Sequence, residues 1–569
     1  MIGAAAILFA VFSTFSYAQV RPDAGSILES IKQPAIAPRL GPDVLPRVQE
    51  PRPALAEPGL KVTVTRFKIT GNTLYAESVL LEAVQEFVGK EQNIDGLNDA
   101  ATKVRAYFRE RGYFLAQAYL PQQEIKDGVV EIAVIEARVG KVALNFKAGT
   151  RYSEGLIRGI IESHLRQGDI ITENGLETPL LLLNDFPNAV VTSEIKPSQT
   201  VGAADLTIHV ADTPGLISGS VDMDNYGNRF TGALRTGVSF NVSNPLAIGD
   251  QFSYRGFVTD DRMGFYRVAY VIPVAYWGTR VGVSYASFHY RLGKQFIESL
   301  NHGVGGVTTL YAFHPLIRTR SSNVILQYAN ELKTLDDRDD LNKTITDRRI
   351  ISNKFGVVGD FRDGMLGGGL NSYSYTTAVG TNQLGPDVIF KGDQAATGAK
   401  TAGRFGKQNF EFRRLQKITD NATLLLALQG QMGSKNLTSA EKFSLGGADG
   451  VRAYPSGEAQ GDTGWLFQGE VRYIVPGWKI GSGDVTVNGF WDQGWVRIQE
   501  NFVIPAGGGL TTANANNRRL SGYGIGGSVG KDADFVLRTS IAFRNENEVA
   551  RADSAPRIPR VWVQGIKWF

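Results

Sequence analysis

One arginine stands inside the densest run of glycine in the chain. The stretch GGADGVRAYPSGEAQGDTG covers residues 446–464 and places six glycines around Arg452. Glycine lacks a Cβ atom, so such a run can fold tightly and approach another chain segment closely. A guanidinium held in this way can form a charge-assisted, bidentate pair with a carboxylate. The stretch therefore predicts a folded loop with an acidic partner for Arg452; a flexible surface loop is the alternative.

Asp492 is the acidic residue that this loop is expected to reach. It lies in VTVNGFWDQGWV (485–496), where strand alternation separates two faces. One face carries Val485, Val487, Trp491 and Trp495, and the other carries Thr486, Asn488, Phe490, Asp492 and Gly494. If the apolar face meets lipid, Asp492 faces the interior and needs a cation or water. We expect an Arg452–Asp492 ion pair, with Glu470 as a rival partner for the arginine.

The sequence contains no pattern typical of catalysis or metal binding. The chain has no cysteine, and its five histidines show neither H-E-x-x-H nor H-x-H spacing. We find neither a Ser/His/Asp set nor a pair of carboxylates in an acid/base context. The net charge of +4 gives no reason to expect a nucleic-acid partner. We therefore expect no enzyme activity, no catalytic residue, no metal site and no cofactor.

The amino-terminal residues have the features of an exported protein. An apolar run from Ile2 to about Phe15 ends in Ser16-Tyr17-Ala18, which predicts a signal peptide over residues 1–18. The segment lacks the usual lysine or arginine, and a membrane anchor is the alternative. The run is, however, shorter than the roughly 20 residues that a spanning helix needs. Later membrane insertion would then have to use strands.

Residues 19–212 divide into a short helix, a linker and two α+β units. DAGSILESIK (23–32), within 19–33, predicts an amphipathic helix. Seven prolines between residues 34 and 58 exclude a continuous helix, so 34–60 is predicted to be an extended linker. Residues 61–140 and 141–212 each give the order β-α-α-β-β. Two small α+β domains are therefore predicted.

From residue 213 to residue 569 only strand-length segments follow one another. NATLLLALQGQ (421–431), GWLFQGEVRYIV (464–475) and DFVLRTSIAFR (534–544) alternate apolar and polar residues. An apolar face with aromatic residues opposite a polar face suits a strand between lipid and a wet lumen. A soluble sandwich would also alternate, but its apolar face would need a second sheet.

The connections between these segments alternate between short and long. Short ones cover 244–250, 273–280, 362–368, 476–484 and 531–534, and long ones cover 291–302, 334–346, 381–402, 433–463 and 497–516. Transmembrane barrels show this alternation and an even strand number. The prediction is a mainly β chain with a closed 16-stranded antiparallel transmembrane barrel over 213–569, an inward-folded loop over 433–463, and two α+β domains before it.

Two motifs resemble those of a known family. Val451, Arg452, Ala453 and Tyr454 resemble the V-R-G-Y/F tip of the inward-folded sixth external loop in two-partner secretion transporters, the hemolysin and filamentous-hemagglutinin exporters. Phe490, Asp492 and Gly494 match the family motif F-x-D-x-G. In that family the motif arginine and aspartate pair inside the barrel. Alanine at 453 replaces a commoner glycine, and since a Cβ tolerates positive φ poorly, we expect a slightly different tip.

The resemblance extends over the chain. It implies that 19–33 contains a plug helix and that 61–140 and 141–212 are POTRA domains, the first with the family-like FKITGNT at 67–73. The terminal Phe569 resembles the signal read by the outer-membrane insertion machinery, although Gly565 and Lys567 interrupt the usual alternation. Whether the Arg452–Asp492 pair gates the pore or only anchors the loop stays open.

By resemblance, the chain lies in the bacterial outer membrane with its POTRA domains in the periplasm. These domains would recognise an unfolded partner exoprotein, an adhesin or a cytolysin, which then crosses the barrel to the cell surface. The other partners would be the lipid bilayer and, during biogenesis, the insertion machinery. Two alternatives remain: an outer-membrane assembly factor of the same superfamily, and a passive porin-like barrel.

Overall fold

The computed structural model describes residues 21–31, 61–213, 215–502, 516–531, 533–545, 548–553 and 558–569. The predicted signal peptide (1–18) and linker (34–60) lie outside the described residues. Helix α1 spans Ala24–Ser30 within the predicted 19–33 segment. Its capping box explains where it begins, because the Asp23 side chain accepts from the Ser26 amide while the Ser26 hydroxyl accepts from the Asp23 amide.

The first α+β unit packs helices on a three-stranded sheet of order β2-β5-β4. Its elements are β1 (Lys61–Thr63), β2 (Arg66–Thr70), α2 (Glu77–Glu82), β3 (Glu91–Asn93), α3 (Ile94–Arg109), β4 (Gln117–Tyr119) and β5 (Val129–Ile135). The sequence VTVTRFKITGNTLY (62–75) favours one strand, but the structure has two. β1 pairs with β3 and β2 pairs with β5, so the chain breaks between them.

The second α+β unit has the order β-α-α-β-β, which is that of the first unit without its β1–β3 pair, and a sheet of order β6-β8-β7. Its elements are β6 (Arg138–Phe146), α4 (Glu154–His164), α5 (Glu173–Asn184), β7 (Ala189–Pro197) and β8 (Ala203–Asp212). The sequence GVVEIAVIEARVG (128–140) favours one strand, but the structure has two, because Ala137 turns the chain at a positive φ of 46°. The boundary predicted between residues 140 and 141 therefore falls inside β6, and the units divide before Arg138.

The rest of the described chain forms a closed antiparallel barrel of sixteen strands, as predicted. The elements in chain order are β9 (Ile217–Asp224), β10 (Arg235–Ser243), β11 (Gln251–Thr259), β12 (Gly264–Pro273), β13 (Arg280–Arg291), β14 (Asn301–Arg318), β15 (Ser322–Asp339), β16 (Thr344–Asp363), β17 (Gly369–Gly385), α6 (Asp387–Gln394), β18 (Gly403–Lys417), β19 (Ala422–Gly433), β20 (Phe443–Ser444), β21 (Gln460–Gly461), β22 (Thr463–Ile480), β23 (Gly483–Arg497), β24 (Asn517–Lys531), β25 (Phe535–Arg544) and β26 (Arg560–Trp568). β20 and β21 pair only with each other, and β26 closes the barrel against β9.

Three predicted connections are shaped differently from the sequence expectation. Most of 334–346 belongs to the β15–β16 hairpin, whose paired strands reach Asp339 and Thr344. Most of 476–484 likewise lies within β22 and β23, where Lys479 and Ile480 pair with Asp484 and Gly483, and 381–402 contains α6. These segments are polar, so they lack the apolar alternation by which the sequence reveals a strand. Among the described residues, no helix has the length and apolar character needed to cross a membrane.

The second α+β unit contacts the barrel at its short turns. Asp185, at the end of α5, accepts two hydrogen bonds from Arg318 at 2.7 and 2.8 Å. Phe186 packs against Gly249 in the β10–β11 turn, and Gly278 in the β12–β13 turn lies against Leu182. The long connections therefore lie at the opposite end of the barrel from the α+β units.

Candidate functional site

The connection between β19 and β22 folds into the barrel. Its residues include a 3₁₀ turn at Ser439–Glu441 and the β20–β21 hairpin. The apolar side chains of its tip pack against the inward faces of β22, β23 and β24. This buried cluster contains Leu445, Val451, Ala453, Tyr454, Ala459, Leu466, Phe490, Val496, Leu520, Ala542 and Ala550.

Arg452 and Asp492 form a bidentate pair at the tip. Arg452 Nε donates to Asp492 Oδ2 at 2.9 Å, and Arg452 Nη2 donates to Asp492 Oδ1 at 2.7 Å. The backbone amide of Arg452 adds a third bond to Oδ2 at 3.1 Å. Asp492 is fully buried, so its charge depends on these donors. The structure brings together the two residues that the sequence had paired.

Glu470, considered as a rival partner, binds Arg452 as well. Arg452 Nη1 donates to Glu470 Oε2 at 2.5 Å, and the guanidinium carbon lies 3.5 Å from the centre of the Phe490 ring. Burial lowers the pKa of Arg452, but hydrogen bonds and charge from Asp492, followed by those of Glu470, outweigh burial and raise that pKa above its usual value. One cation therefore joins two carboxylates and an aromatic face.

Two glycines of the barrel wall make room for the tip. A Cβ at Gly494 would lie 2.6 Å from the Leu445 side chain. A Cβ at Gly522, on β24, would lie 2.5 Å from the Ala453 Cβ. Ala453 is not among the residues with positive φ, so the expected strain of an alanine at this position does not arise. Its methyl group instead occupies the space that Gly522 leaves.

The other motif residues take different positions. Tyr454 is fully buried, and its hydroxyl donates to the Glu548 carbonyl at 3.2 Å, while the Arg452 carbonyl accepts from Trp562 Nε1 at 2.7 Å. Phe569 lies away from this cluster, at the β26–β9 seam, where its amide donates to the Gly219 carbonyl at 3.0 Å. Its ring is 64% exposed, and its role as an insertion signal remains a prediction.

A second charged cluster anchors the base of the loop, and sequence reasoning missed it. Glu441 is fully buried and lies 2.5 Å from Lys333 Nζ and 2.8 Å from Lys407 Nζ. These lysines come from β15 and β18, so the cluster joins residues far apart in the chain. The parity of β15 could have placed Lys333 in the lumen, but no local signal connects it with Glu441.

Helix α1 lies in the lumen against both the wall and this loop. Ile27 and Leu28 are buried in a cluster with inward-facing side chains of the barrel. Asp23 lies 2.9 Å from Arg348 Nη2 and accepts from the Ser439 hydroxyl at 2.7 Å. A Cβ at Gly25 would lie 2.5 Å from the Ala440 amide nitrogen. The helix and the loop therefore obstruct the lumen together.

Among the described residues, no group of three or more His, Cys, Asp or Glu side chains could hold a metal ion. The clusters above are built from cations paired with carboxylates. Such an arrangement holds chain segments in place inside a wet barrel.

Comparisons with known proteins agree with this architecture. The sequence model described as haemolysin secretion/activation protein ShlB/FhaC/HecB matches residues 202–513, and the model of the ShlB-type POTRA domain matches residues 62–137. The heme/hemopexin transporter protein HuxB of Haemophilus influenzae (strain 86-028NP) is 26% identical over 576 residues, which cover 100% of this chain and 99% of HuxB. The outer membrane transporter CdiB of Dickeya dadantii (strain 3937) is 23% identical over 81% of each chain.

Solved structures show the same fold. CdiB from Escherichia coli superposes with a TM-score of 0.70 and 19% identity, over 93% of this chain and 94% of CdiB. BamA from Haemophilus ducreyi, lacking POTRA domains 1–3, gives a TM-score of 0.51 and 12% identity, over 89% of this chain and 100% of that structure. At these identities the likeness concerns the fold alone.

Proposed function

The chain belongs to the haemolysin secretion/activation family ShlB/FhaC/HecB, and we propose that it captures one unfolded partner exoprotein with its POTRA domains and passes it through the barrel. It is an outer-membrane transporter of two-partner secretion, with its POTRA region in the periplasm. The proposal rests on one observation, the arrangement of the domains. A POTRA region is docked at the short turns of a closed barrel, and two separate segments obstruct the lumen of that barrel.

Capture occurs at an exposed sheet edge of the second α+β unit, which we infer to be a second POTRA domain. An extended peptide can add a strand to such an edge through main-chain hydrogen bonds. In the sheet β6-β8-β7, both outer strands have nine residues and pair with β8 on one side. The capture edge must be one of these two strands.

The edge of β7 is already partly occupied. The amide nitrogen of Val191 donates to Asn184 Oδ1 at 3.0 Å, and its carbonyl accepts from Asn184 Nδ2 at 2.8 Å. This side chain occupies the outward backbone groups that an added strand would use. Among the described residues, the edge of β6 is bonded only at its beginning, where the Val139 amide donates to the Asp169 carbonyl and the Val139 carbonyl accepts from the Gly168 amide, both at 2.8 Å. We therefore assign capture to the outer edge of the later part of β6, Val142–Phe146.

The plug helix α1 and the inward loop hold the resting pore closed, and the partner displaces them during export. Folding of the partner outside the cell prevents its return, because a chain that gains stability there leaves the unfolded state. This preference for outward transport requires no nucleotide. The Arg452–Asp492 pair keeps the loop in its lumenal position until the partner arrives.

Cysteine cross-linking tests the assignment directly, since the natural chain contains no cysteine. Ala143 on β6 and Thr192 on β7 are both exposed and form a matched pair. Each would be replaced by cysteine in cells that also make a candidate exoprotein, sought among the neighbouring genes, with export stalled by a folded carboxyl-terminal fusion. Ala143→Cys should cross-link to the stalled partner, and Thr192→Cys should not. Cross-linking at 192 alone would reject the β6 edge, and failure of the wild type to export any neighbouring exoprotein would reject the function.

A further inference from the structure

The outer wall of the barrel carries a row of cations at the end far from the POTRA domains. Inward-facing neighbours fix the orientation of each residue. Lys333 and Arg348 make contacts in the lumen, with Glu441 and with Asp23. Because side chains alternate along a strand, Arg338 on β15 and Arg349 on β16 face outward.

The same reasoning applied to the neighbouring strands gives an arginine belt, made of Arg291, Arg338, Arg349 and Arg404 together with His302. Arg291, His302 and Arg338 lie side by side, because Arg291 pairs in register with His302 and His302 pairs in register with Arg338. The four arginines are exposed. The belt thus lies on β13 to β16 and on β18, with Arg349 paired in register with Thr334, four residues from Arg338 along β15.

The arginine belt keeps a net positive charge, because neighbouring carboxylates balance it only in part. Arg338 binds Asp336 at 2.9 Å, whereas Arg291, Arg349 and Arg404 have no ion pair among the described residues. His302 lies 3.6 Å from Asp340. Asp336, Asp340 and the outward Asp347 leave the four arginines with an excess of one positive charge.

The opposite end of the outer wall is different. There Arg414 pairs with Asp363 at 2.6 Å, and Lys567 is bonded to Asp534. The outward cations named at that end therefore have carboxylate partners. The wall carries unpaired positive charge on the side facing the outer leaflet and paired charge on the periplasmic side.

A cavity of about 570 Å³ opens in the wall beside the belt. Its lining includes Tyr285, Val304, Gly306, Thr334, Asp336 and Arg349. Farther down the same outward faces, Leu310, Ile351, Phe355 and Val379 are exposed, as lipid-facing residues are. The cavity thus lies at the border between the apolar band and the arginine belt.

We propose that the arginine belt and this cavity bind a phosphorylated glycolipid of the outer leaflet. Arginine binds phosphate through its planar set of donors, so Arg338, Arg349 and Arg404 receive the phosphate groups. Asp336 and Asp347 accept hydrogen bonds from sugar hydroxyls, which accounts for carboxylates among the arginines. The exposed apolar residues below receive the acyl chains. A soluble phosphate would use the belt but would leave this apolar border unused.

The test measures binding of diphosphoryl lipid A to the folded full chain in detergent. The variant R338Q/R349Q/R404Q should bind at least tenfold more weakly than the wild type. R362Q, which removes an exposed arginine that lies at the periplasmic end and faces the lumen by alternation from Arg348, should bind as the wild type does. R349K should retain lipid A binding better than R349Q. If the triple variant fails to fold, this comparison of the two single variants tests the proposal in its place. Equal binding by the wild type and by folded belt variants would overturn the proposal.

Two further arms separate the source of the phosphate and the class of partner. Millimolar inorganic pyrophosphate should leave lipid A bound to the wild type. Complete displacement of lipid A by pyrophosphate would show that a free phosphate anion is sufficient to occupy the arginine belt. A photo-cross-linker at Thr381, an outward residue paired in register with Arg404, should give a glycolipid adduct in intact outer membranes. A protein adduct in place of the lipid adduct would assign the belt to a polypeptide and reject the lipid.

Discussion

Replacing Arg452 by alanine should release the inward loop while the barrel stays inserted. The variant removes three side-chain hydrogen bonds, two to Asp492 and one to Glu470. It leaves Asp492 fully buried with the backbone amide of residue 452 as its remaining donor from the loop tip. The perturbation therefore creates a buried carboxylate with little compensation.

The size of the effect follows from this geometry. Breaking a buried ion pair by removing one partner costs about 3–5 kcal/mol. With about 1.4 kcal/mol for each factor of ten, the ratio of docked to undocked loop should fall by roughly a hundredfold to several thousandfold. The strands of the wall keep their pairing, because Asp492 and Glu470 are held in the barrel by ladder hydrogen bonds. Export should therefore fall although insertion is normal.

Hydrogen exchange of loop amides, followed by mass spectrometry over residues 445–459, measures the docking free energy. The control is Arg472→Ala, which removes a guanidinium that is 42% exposed and lies 2.7 Å from the same Glu470. An exposed pair of this kind contributes about 0.2–1 kcal/mol, so exchange in the control should stay close to that of the wild type. The reasoning would be refuted if the exchange rate of the loop amides in Arg452→Ala stayed within about threefold of the wild-type rate. A broken buried pair should change that rate by roughly a hundredfold or more.

Three other changes test neighbouring contacts. Gly522→Ala brings a methyl group to 2.5 Å from the Ala453 Cβ, so it should destabilise the docked loop by about 1–3 kcal/mol in the same exchange assay, and the second change Ala453→Gly should restore it. Gly25→Leu should push α1 away from the 3₁₀ turn and raise conductance in planar bilayers, whereas Ser30→Ala on the same helix should not. Glu441→Gln leaves two buried ammonium groups and should lower the free energy of loop docking by about 3–5 kcal/mol, measured by protease sensitivity of the loop.

The sequence predicted the barrel because lipid on one side and water on the other impose alternation on every strand. The Arg452–Asp492 pair was accessible for the same reason, since alternation assigns Asp492 to the lumen and glycine marks the loop. Where chain segments leave the membrane, this rule no longer applies. The sequence therefore predicts a loop over 334–346, although the strands of the β15–β16 hairpin pair as far as Asp339 and Thr344.

Contacts between distant segments could not be predicted from local patterns. Glu441 meets Lys333 across 108 residues, and Asp23 meets Ser439 across 416 residues. Neither pair belongs to a repeating pattern, so only the closed barrel brings its members together. Glu470 was treated as a rival to Asp492 because a sequence suggests one partner for one cation. A guanidinium has five N–H donors, and three of them are used here by two carboxylates.

The balance of forces in the lumen suits segments that must leave it. A buried ion pair contributes little net stability compared with an apolar replacement, yet it fixes one geometry. When α1 or the loop moves out, water can solvate Arg348, Lys333 and Glu441, whereas an apolar lumen surface would be costly to wet. The apolar contacts of α1 are correspondingly small, because it buries only Ile27 and Leu28 together with Ala24 and Gly25. Specific charge contacts can thus hold α1 and the base of the loop in place at rest and still be exchanged for water when a chain passes.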